Sequence, residues 1–374
     1  MSGALQEHYG YISDPVRTDR FRQAIVQAIR PGDVVVDLGC GFGILGLMCL
    51  RAGAARVWGI DRTEAIEIAR ETAARAGLGD RYHCLREYSF RAELPELADV
   101  IICDHVGFFG FDYGIIAALS DARRRFLKPG GKVIPGTISL KIAGITSDDC
   151  RRSADAWADA SIPAEFHWLR EYGTNSKHPH DFEAADLATD SGDLLTINLD
   201  GECPDSMEGQ IDLVATRDGA IDGVGGWFEC ELVPGVSMSN SPLDPDRIRR
   251  EQAFFPFDRG LDAMTGDRIC TTMNVRHDPG IIGWRSENVR TGEIRNQSTW
   301  RSQILSEADF IPASVRVPKL SRAGIAAQVV AGFIDGKRTA REIEDAVALE
   351  YPSLLLSEAE VRSFVRSELA RVAG

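Results

Sequence analysis

The chain has 374 residues, 44% of them hydrophobic, and a formal net charge of −14 at pH 7. Acidic charge spread along the whole length excludes a nucleic-acid backbone binder, which needs a basic face. No apolar run approaches the ~20 residues that span a bilayer, and the start, Met-Ser-Gly-Ala-Leu-Gln-Glu-His, has no basic-then-apolar signal segment. Its eight cysteines, at 40, 49, 84, 103, 150, 203, 230 and 270, form no CxxC pair and are expected to be reduced thiols in a cytoplasmic protein without a metal site.

In chain order, residues 1–135 alternate short apolar runs with amphipathic ones. The expected elements are a helix over Phe21–Ile29, a strand at Val34–Asp37, a helix at Ile44–Ala52 and a strand at Val57–Ile60. A helix at Thr63–Ala76 follows, then strands at His83–Leu85 and Val100–Cys103, a helix at Ala118–Leu127 and a strand at Lys132–Ile134. This alternation builds a parallel sheet with helices on both faces. Residues 136–296 change to short alternating stretches at 136–145, 194–200, 209–216, 224–233 and 268–276, the pattern of an antiparallel sheet or barrel. Within them Asp148–Tyr172 is expected to be helical, and 173–193 a polar loop in which His178 and His180 lack the further ligands of a zinc site. Residues 297–374 carry three short helices, two of them opened by the capping boxes Thr339-Ala-Arg-Glu342 and Ser357-Glu-Ala-Glu360.

The chemistry concentrates at Asp37-Leu-Gly-Cys-Gly-Phe-Gly43. Gly39, Gly41 and Gly43 let backbone approach a ligand where a Cβ would collide. Asp61, at the tip of the next strand, suits the two hydroxyls of a ribose. A dinucleotide site wants G-x-G-x-x-G. The present Asp-x-Gly-x-Gly-x-Gly is instead the pattern of S-adenosylmethionine sites, in which the acid faces the methionine ammonium or a nearby water. Arg62, beside Asp61, is placed in the same cofactor set.

These residues resemble the protein arginine methyltransferases. Asp14-Pro-Val-Arg-Thr18 is similar to that family's leading helix, Phe126-Leu-Lys-Pro-Gly-Gly131 and Val133-Ile-Pro135 to the entry into its barrel. Gly225-Gly-Trp-Phe228, Ser239-Asn-Ser-Pro242 and Gly266-Asp267 are similar to barrel landmarks in order. The resemblance implies a Rossmann-like α/β methyltransferase domain, an antiparallel β-barrel domain that carries substrate and dimer contacts, and a helical appendage. It also implies that Arg17 grips the cofactor carboxylate, a bidentate, charge-assisted contact. The family holds its substrate guanidinium between two hairpin glutamates; here Asp104 stands at the first position and Tyr113, beside Asp112, at the second. Where the family has a Thr-His-Trp loop, this chain reads Ile248-Arg-Arg-Glu251, and Arg249 and Arg250 at the site mouth favour a carboxylate, phosphate or acidic peptide. His105 is a candidate general base.

The expected activity is methyl transfer from S-adenosylmethionine to a guanidine, amine or imidazole nitrogen of a peptide or amino-acid-like acceptor in bacterial peptide metabolism. Asp104, with His105, Asp112 or Tyr113, would orient the acceptor. The alternatives are a carboxylate or hydroxyl acceptor, and a cofactor-binding recognition subunit without turnover. Val329–Phe333, Asp335–Ile343 and Glu350-Tyr-Pro352 resemble the helical half of PqqD-like peptide-binding modules. A homodimer is expected, joined through an arm within Asp148–Tyr172.

Overall fold

The computed structural model describes residues 3–276, 280–305, 320, 322–352 and 357–372. The chain divides into two compact units, Met1–Gln303 and Ile304–Gly374. The first half of the larger unit runs α1 (Gly3–Ser13), α2 (Pro15–Ala28), β1 (Val34–Leu38), α3 (Ile44–Arg51), β2 (Arg56–Asp61), α4 (Ala65–Arg75), β3 (Tyr82–Arg86), β4 (Ala98–Cys103), α5 (Ile115–Phe126) and β5 (Leu127–Ile134). The five strands pair in the order β3-β2-β1-β4-β5, all in parallel. β1 is buried along its whole length, as a strand covered by helices on both faces must be.

The second half holds β6 (Thr137–Ile145), α6 (Asp148–Ala154), α7 (Arg170–Thr174), β7 (His178–His180), β8 (Leu187–Asn198), β9 (Ser206–Val214), β10 (Gly219–Val233), β11 (Val236–Ser239), β12 (Gln252–Ala263), β13 (Arg268–Arg276), β14 (Ile281–Asn288) and β15 (Glu293–Ser298). They form an antiparallel sheet β7-β12-β10-β6-β8, with β11 on β10, and a second sheet β15-β14-β13-β9, linked by a bridge between Thr189 and Ala215. One hydrophobic core runs from the parallel sheet into these sheets. The fold class expected from the sequence is therefore present.

Three expectations are corrected. Asp148–Tyr172 is not one helix: Asp159 caps a tight turn by accepting from the Ser161 N–H and hydroxyl, and Pro163 follows, so only α6, short helical turns and α7 remain. The 173–193 segment is not a loop throughout, because His178–His180 pairs with β12 and β8 begins at Leu187. β12, β14 and β15 escaped the sequence pattern. Pro256 interrupts the first, yet its carbonyl accepts from Trp284 Nε1 at 2.9 Å; the inward residues of β15 are Arg295 and Gln297 rather than apolar ones. Gln297 and Ser298 complete β15, so the domain boundary expected at 296/297 falls inside a strand.

The smaller unit contains α8 (Arg322–Phe333), α9 (Ala340–Glu350) and α10 (Glu358–Val372). Val330, Ile343, Val347, Val361 and Val365 form its core, and the buried Glu344 pairs with Arg366 Nε at 2.8 Å. Thr339 and Glu342 make the reciprocal capping box that opens α9.

Candidate active site

Parallel registry assembles the site. Leu38 at the end of β1 lies opposite Ile60 of β2 and Cys103 of β4, so the next residues, Gly39, Asp61 and Asp104, leave the carboxyl edge side by side. With strand order β3-β2-β1-β4-β5 this edge is the topological switch point, where open α/β sheets bind ligands.

The glycine turn is held from both sides. Gly39, Gly41 and Gly43 have φ of 68°, 51° and 80°, values that disfavour side chains. A Cβ on Gly39 would lie 2.2 Å from the His105 ring, and one on Gly41 would lie 2.3 Å from His8. Asp37 faces inward: its Oδ2 accepts from Gly46 N at 2.8 Å and Tyr82 OH at 2.9 Å. Through Oδ2 it anchors the start of α3. Burial pushes its carboxyl up to about 6, against the lowering effect of those two donors. Asp61 Oδ2 accepts from Gly41 N at 2.9 Å, and its Oδ1 from Thr63 N and Oγ1 at 2.8 and 2.7 Å. Strand tip and glycine turn thus form one rigid edge, with Arg62 exposed beside it.

α1 lies against this edge, an element absent from the sequence reading. His8 stacks on Phe42 with ring centroids 4.0 Å apart. Tyr11 contacts two cations, with the Arg17 and Arg250 guanidinium carbons 5.6 and 5.2 Å from its ring centre. Asp14 caps α2 through Oδ1, while its Oδ2 accepts from Arg249 N at 2.7 Å, tying the two arginine-bearing segments together.

The acceptor side is the 104–113 hairpin. Asp104 Oδ2 accepts from Arg17 Nε at 2.5 Å and lies 3.6 Å from Arg250 Nη2, while Oδ1 is buried without a hydrogen-bond partner. Burial raises the Asp104 pKa, but the two guanidinium groups outweigh it and hold the carboxyl below its usual value. His105 is held neutral: burial lowers its pKa more than neighbouring Asp104 raises it. Asp112 does not share the edge with Asp104. It folds back into the hairpin, where Oδ2 accepts from Phe109 N and Oδ1 pairs with Lys177. Tyr113 is half-exposed, its ring edge-on to Phe108. Arg249 and Arg250 separate as well: the Arg249 side chain is exposed, whereas Arg250 points inward.

Asn240, fully buried, fixes the hairpin on the antiparallel sheet. Its Nδ2 donates to Phe108 O at 2.9 Å and Glu251 O at 2.8 Å, and its Oδ1 accepts from Phe228 N. Phe109 packs on Gly226, where a Cβ would approach its ring to 2.5 Å. Lys177, Asn240, His8 and Tyr11 are the site residues that sequence reasoning missed. Only Asn240 had a local signal, in the Ser239-Asn-Ser-Pro242 landmark. No cluster of three or more metal-ligating side chains occurs among the described residues. All eight cysteines are free, and no described helix is long and apolar enough to cross a membrane.

Comparison with known proteins agrees with this geometry. Residues 18–170 match the family model for ribosomal protein L11 methyltransferase (PrmA). The chain is similar to protein arginine N-methyltransferases. A probable protein arginine N-methyltransferase 6 of Arabidopsis thaliana is 37% identical over 153 residues, 40% of this chain and 35% of that protein. The chain thus spans little more than a third of that plant relative's length. The match to protein arginine N-methyltransferase 1 of Saccharomyces cerevisiae is 28% identical over 284 residues, 70% of this chain and 79% of that protein. The enzyme–prozyme heterotetrameric complex of Trypanosoma brucei PRMT1 with AdoHcy superposes with a TM-score of 0.70 at 20% identity, over 78% of this chain and 96% of that chain. The open conformation of Arabidopsis thaliana protein arginine methyltransferase 10 gives 0.68 at 18% identity, over 79% and 98%. The two solved structures share this fold.

Proposed function

We propose that the protein is an S-adenosylmethionine-dependent methyltransferase that methylates a nitrogen of a peptide or amino-acid-like acceptor. The observation that carries this reading is the convergence, at one strand edge, of the positive-φ glycine turn, Asp61 and a buried Asp104 whose Oδ1 has no partner. The residues fit the cofactor: Gly39, Gly41 and Gly43 hold the positive-φ turn that side chains disfavour, Asp61 stands at the tip of the next strand, the position for the ribose hydroxyls, and Arg17 supplies a guanidinium for a carboxylate. When bound, S-adenosylmethionine supplies an electrophilic methyl group on a sulfonium.

The chain's own residues do the rest. Asp104 Oδ1 accepts an N–H of the acceptor and so turns the nitrogen lone pair toward the reacting centre, a contribution of position rather than of bond-making. Arg17 fixes the other carboxylate oxygen. His105, whose ring packs against Gly39, is our candidate to take the proton that the methylated nitrogen releases. Nitrogen is favoured over oxygen because the matched relatives are named N-methyltransferases; the unpartnered Asp104 oxygen accepts from an N–H or an O–H alike. The helical unit from Ile304 is assigned to peptide recognition, on its resemblance to PqqD-like modules. Calorimetry with S-adenosylhomocysteine, paired with transfer of labelled methyl to a panel of arginine-, lysine- and histidine-bearing peptides, tests the reading. Tight binding of the cofactor product with no methylated peptide would turn it toward a recognition subunit.

A further inference from the structure

Arg250 is an ionised side chain only 6% exposed, yet its guanidinium is poorly paired. Among the described residues its one hydrogen bond goes from Nη1 to Gly107 O at 3.5 Å, the outer limit of such a contact. Asp104 is 3.6 Å from Nη2, and that carboxylate oxygen is already taken at 2.5 Å by Arg17. A guanidinium carries five N–H donors in a planar fork, so most of this fork has no protein acceptor. No Arg250 nitrogen is both fully buried and unpartnered, so its free N–H groups remain open to contact, and a guanidinium fork of this kind is matched by an anion in bidentate geometry. The Tyr11 ring lies against it, with its centre 5.2 Å from the guanidinium carbon.

The surrounding charge agrees. Arg17, Arg250 and Lys177 face two hairpin carboxylates, Asp104 and Asp112, and Lys177 alone neutralises Asp112. With Arg17 given to the cofactor carboxylate, a cationic acceptor would still meet Arg250 beside Asp104 and an Asp112 already paired with Lys177. Next to the open fork lies the opposite deficiency, the buried Asp104 Oδ1 that has no donor. One ligand that presents an N–H and a carboxylate side by side satisfies both.

We propose that Arg250 is the specificity-determining residue of the acceptor site, that it binds a carboxylate of the acceptor molecule while Asp104 Oδ1 takes its N–H, and that the substrate is accordingly a nitrogen compound carrying its own carboxylate. This rests on the methyltransferase reading of the site. It separates the chain from enzymes that clamp a cation between two acids.

The test uses the full chain saturated with S-adenosylhomocysteine and titrates in Nα-acetyl-histidine, Nα-acetyl-lysine and Nα-acetyl-arginine, each as the free acid and as the methylamide. For at least one side chain the acid should bind about 10- to 100-fold tighter than the amide, the size of a hydrogen-bonded charge contact. Arg250→Met should bring that ratio to about one. Arg250→Lys should keep part of it, and Arg152→Ala, at an exposed arginine of α6 outside the site, should keep all of it, which separates the Arg250 charge from a general loss of positive charge. Equal binding of acid and amide in the parent protein, no binding of any probe at millimolar concentration, or an acid preference that survives Arg250→Met would each overturn the proposal. Failure of S-adenosylhomocysteine itself to bind would instead bring down the methyltransferase reading.

Discussion

Arg17 Nε and Asp104 Oδ2 meet at 2.5 Å across 87 residues of sequence, so the side expected to hold the cofactor and the side expected to hold the acceptor share one ion pair. Both side chains are nearly buried, at 5% and 9% exposure. Removing one partner of a buried pair leaves an uncompensated charge and costs about 3–5 kcal/mol. Asp104→Ala should therefore lower stability by roughly that amount in a denaturant titration. Asp104→Asn should fold better and reduce methyl transfer by more than about tenfold, the loss of one charge-assisted contact. Transfer within a few-fold of the parent enzyme would show that Asp104 does not orient the acceptor.

Gly39 separates backbone strain from ligand contact. Alanine there would strain a φ of 68° and place its methyl 2.2 Å from the His105 ring. Gly32 also has positive φ, at 95°, but a methyl added there would have nothing within 4 Å. Each substitution should cost about 1–2 kcal/mol for the backbone, while only Gly39→Ala should also weaken S-adenosylhomocysteine binding by calorimetry. Equal affinities in the two variants would remove Gly39 from the cofactor contact surface.

Asp37 should give stability an unusual acid-side pH profile. Its folded pKa of about 6 lies above the unfolded value of 3.8, so the fold binds this proton more tightly than the unfolded chain does. The associated stabilisation is full below 3.8 and lost as pH rises through about 6, a change on the order of 3 kcal/mol. Asp37→Asn should remove that component, seen as a difference between the two proteins' melting profiles from pH 4 to pH 7. Parallel profiles would mean that the carboxyl titrates normally.

Asn240 holds the 104–113 hairpin and the segment leading to Arg250 at the same time. Asn240→Ala orphans buried backbone groups at about 1–3 kcal/mol each. It should depress methyl transfer far more than cofactor affinity, because the glycine turn does not touch it. A proportional loss of both would mean that the whole unit, and not the hairpin, depends on this residue.

Trp157, Phe166 and Trp168 are exposed on the 148–174 segment, an apolar cluster suited to a second copy of the chain. Light scattering at micromolar concentration should give a dimer, and Trp168→Asp should weaken it. A monomer for the parent protein would rule out this arm as the dimer contact.

The assembly of the glycine turn with Asp61 was legible in the sequence because its signals are local. An apolar strand, three alternating glycines and an acid at the next strand tip lie within about 30 residues, and strand registry then brings them together without further instruction. The acceptor half depends on pairs far apart in the chain. Nothing near Asp112 announces Lys177, and nothing near Asp104 announces Arg250. α1 was overlooked rather than hidden: Leu5, Tyr9 and Ile12 recur at helical spacing, although the stripe they form is exposed rather than part of the core. Arg295 and Gln297 hid β15 by placing polar side chains at its inward positions.

The cations at the hairpin come from three separate segments, at Arg17, Lys177 and Arg250, while the hairpin itself supplies only the acids. A double-glutamate hairpin grafted from a protein arginine N-methyltransferase would bring its acids up to Arg250 and Lys177, which lie on other segments and stay in place. Changing the charge balance here therefore means rewriting those two cations along with the loop.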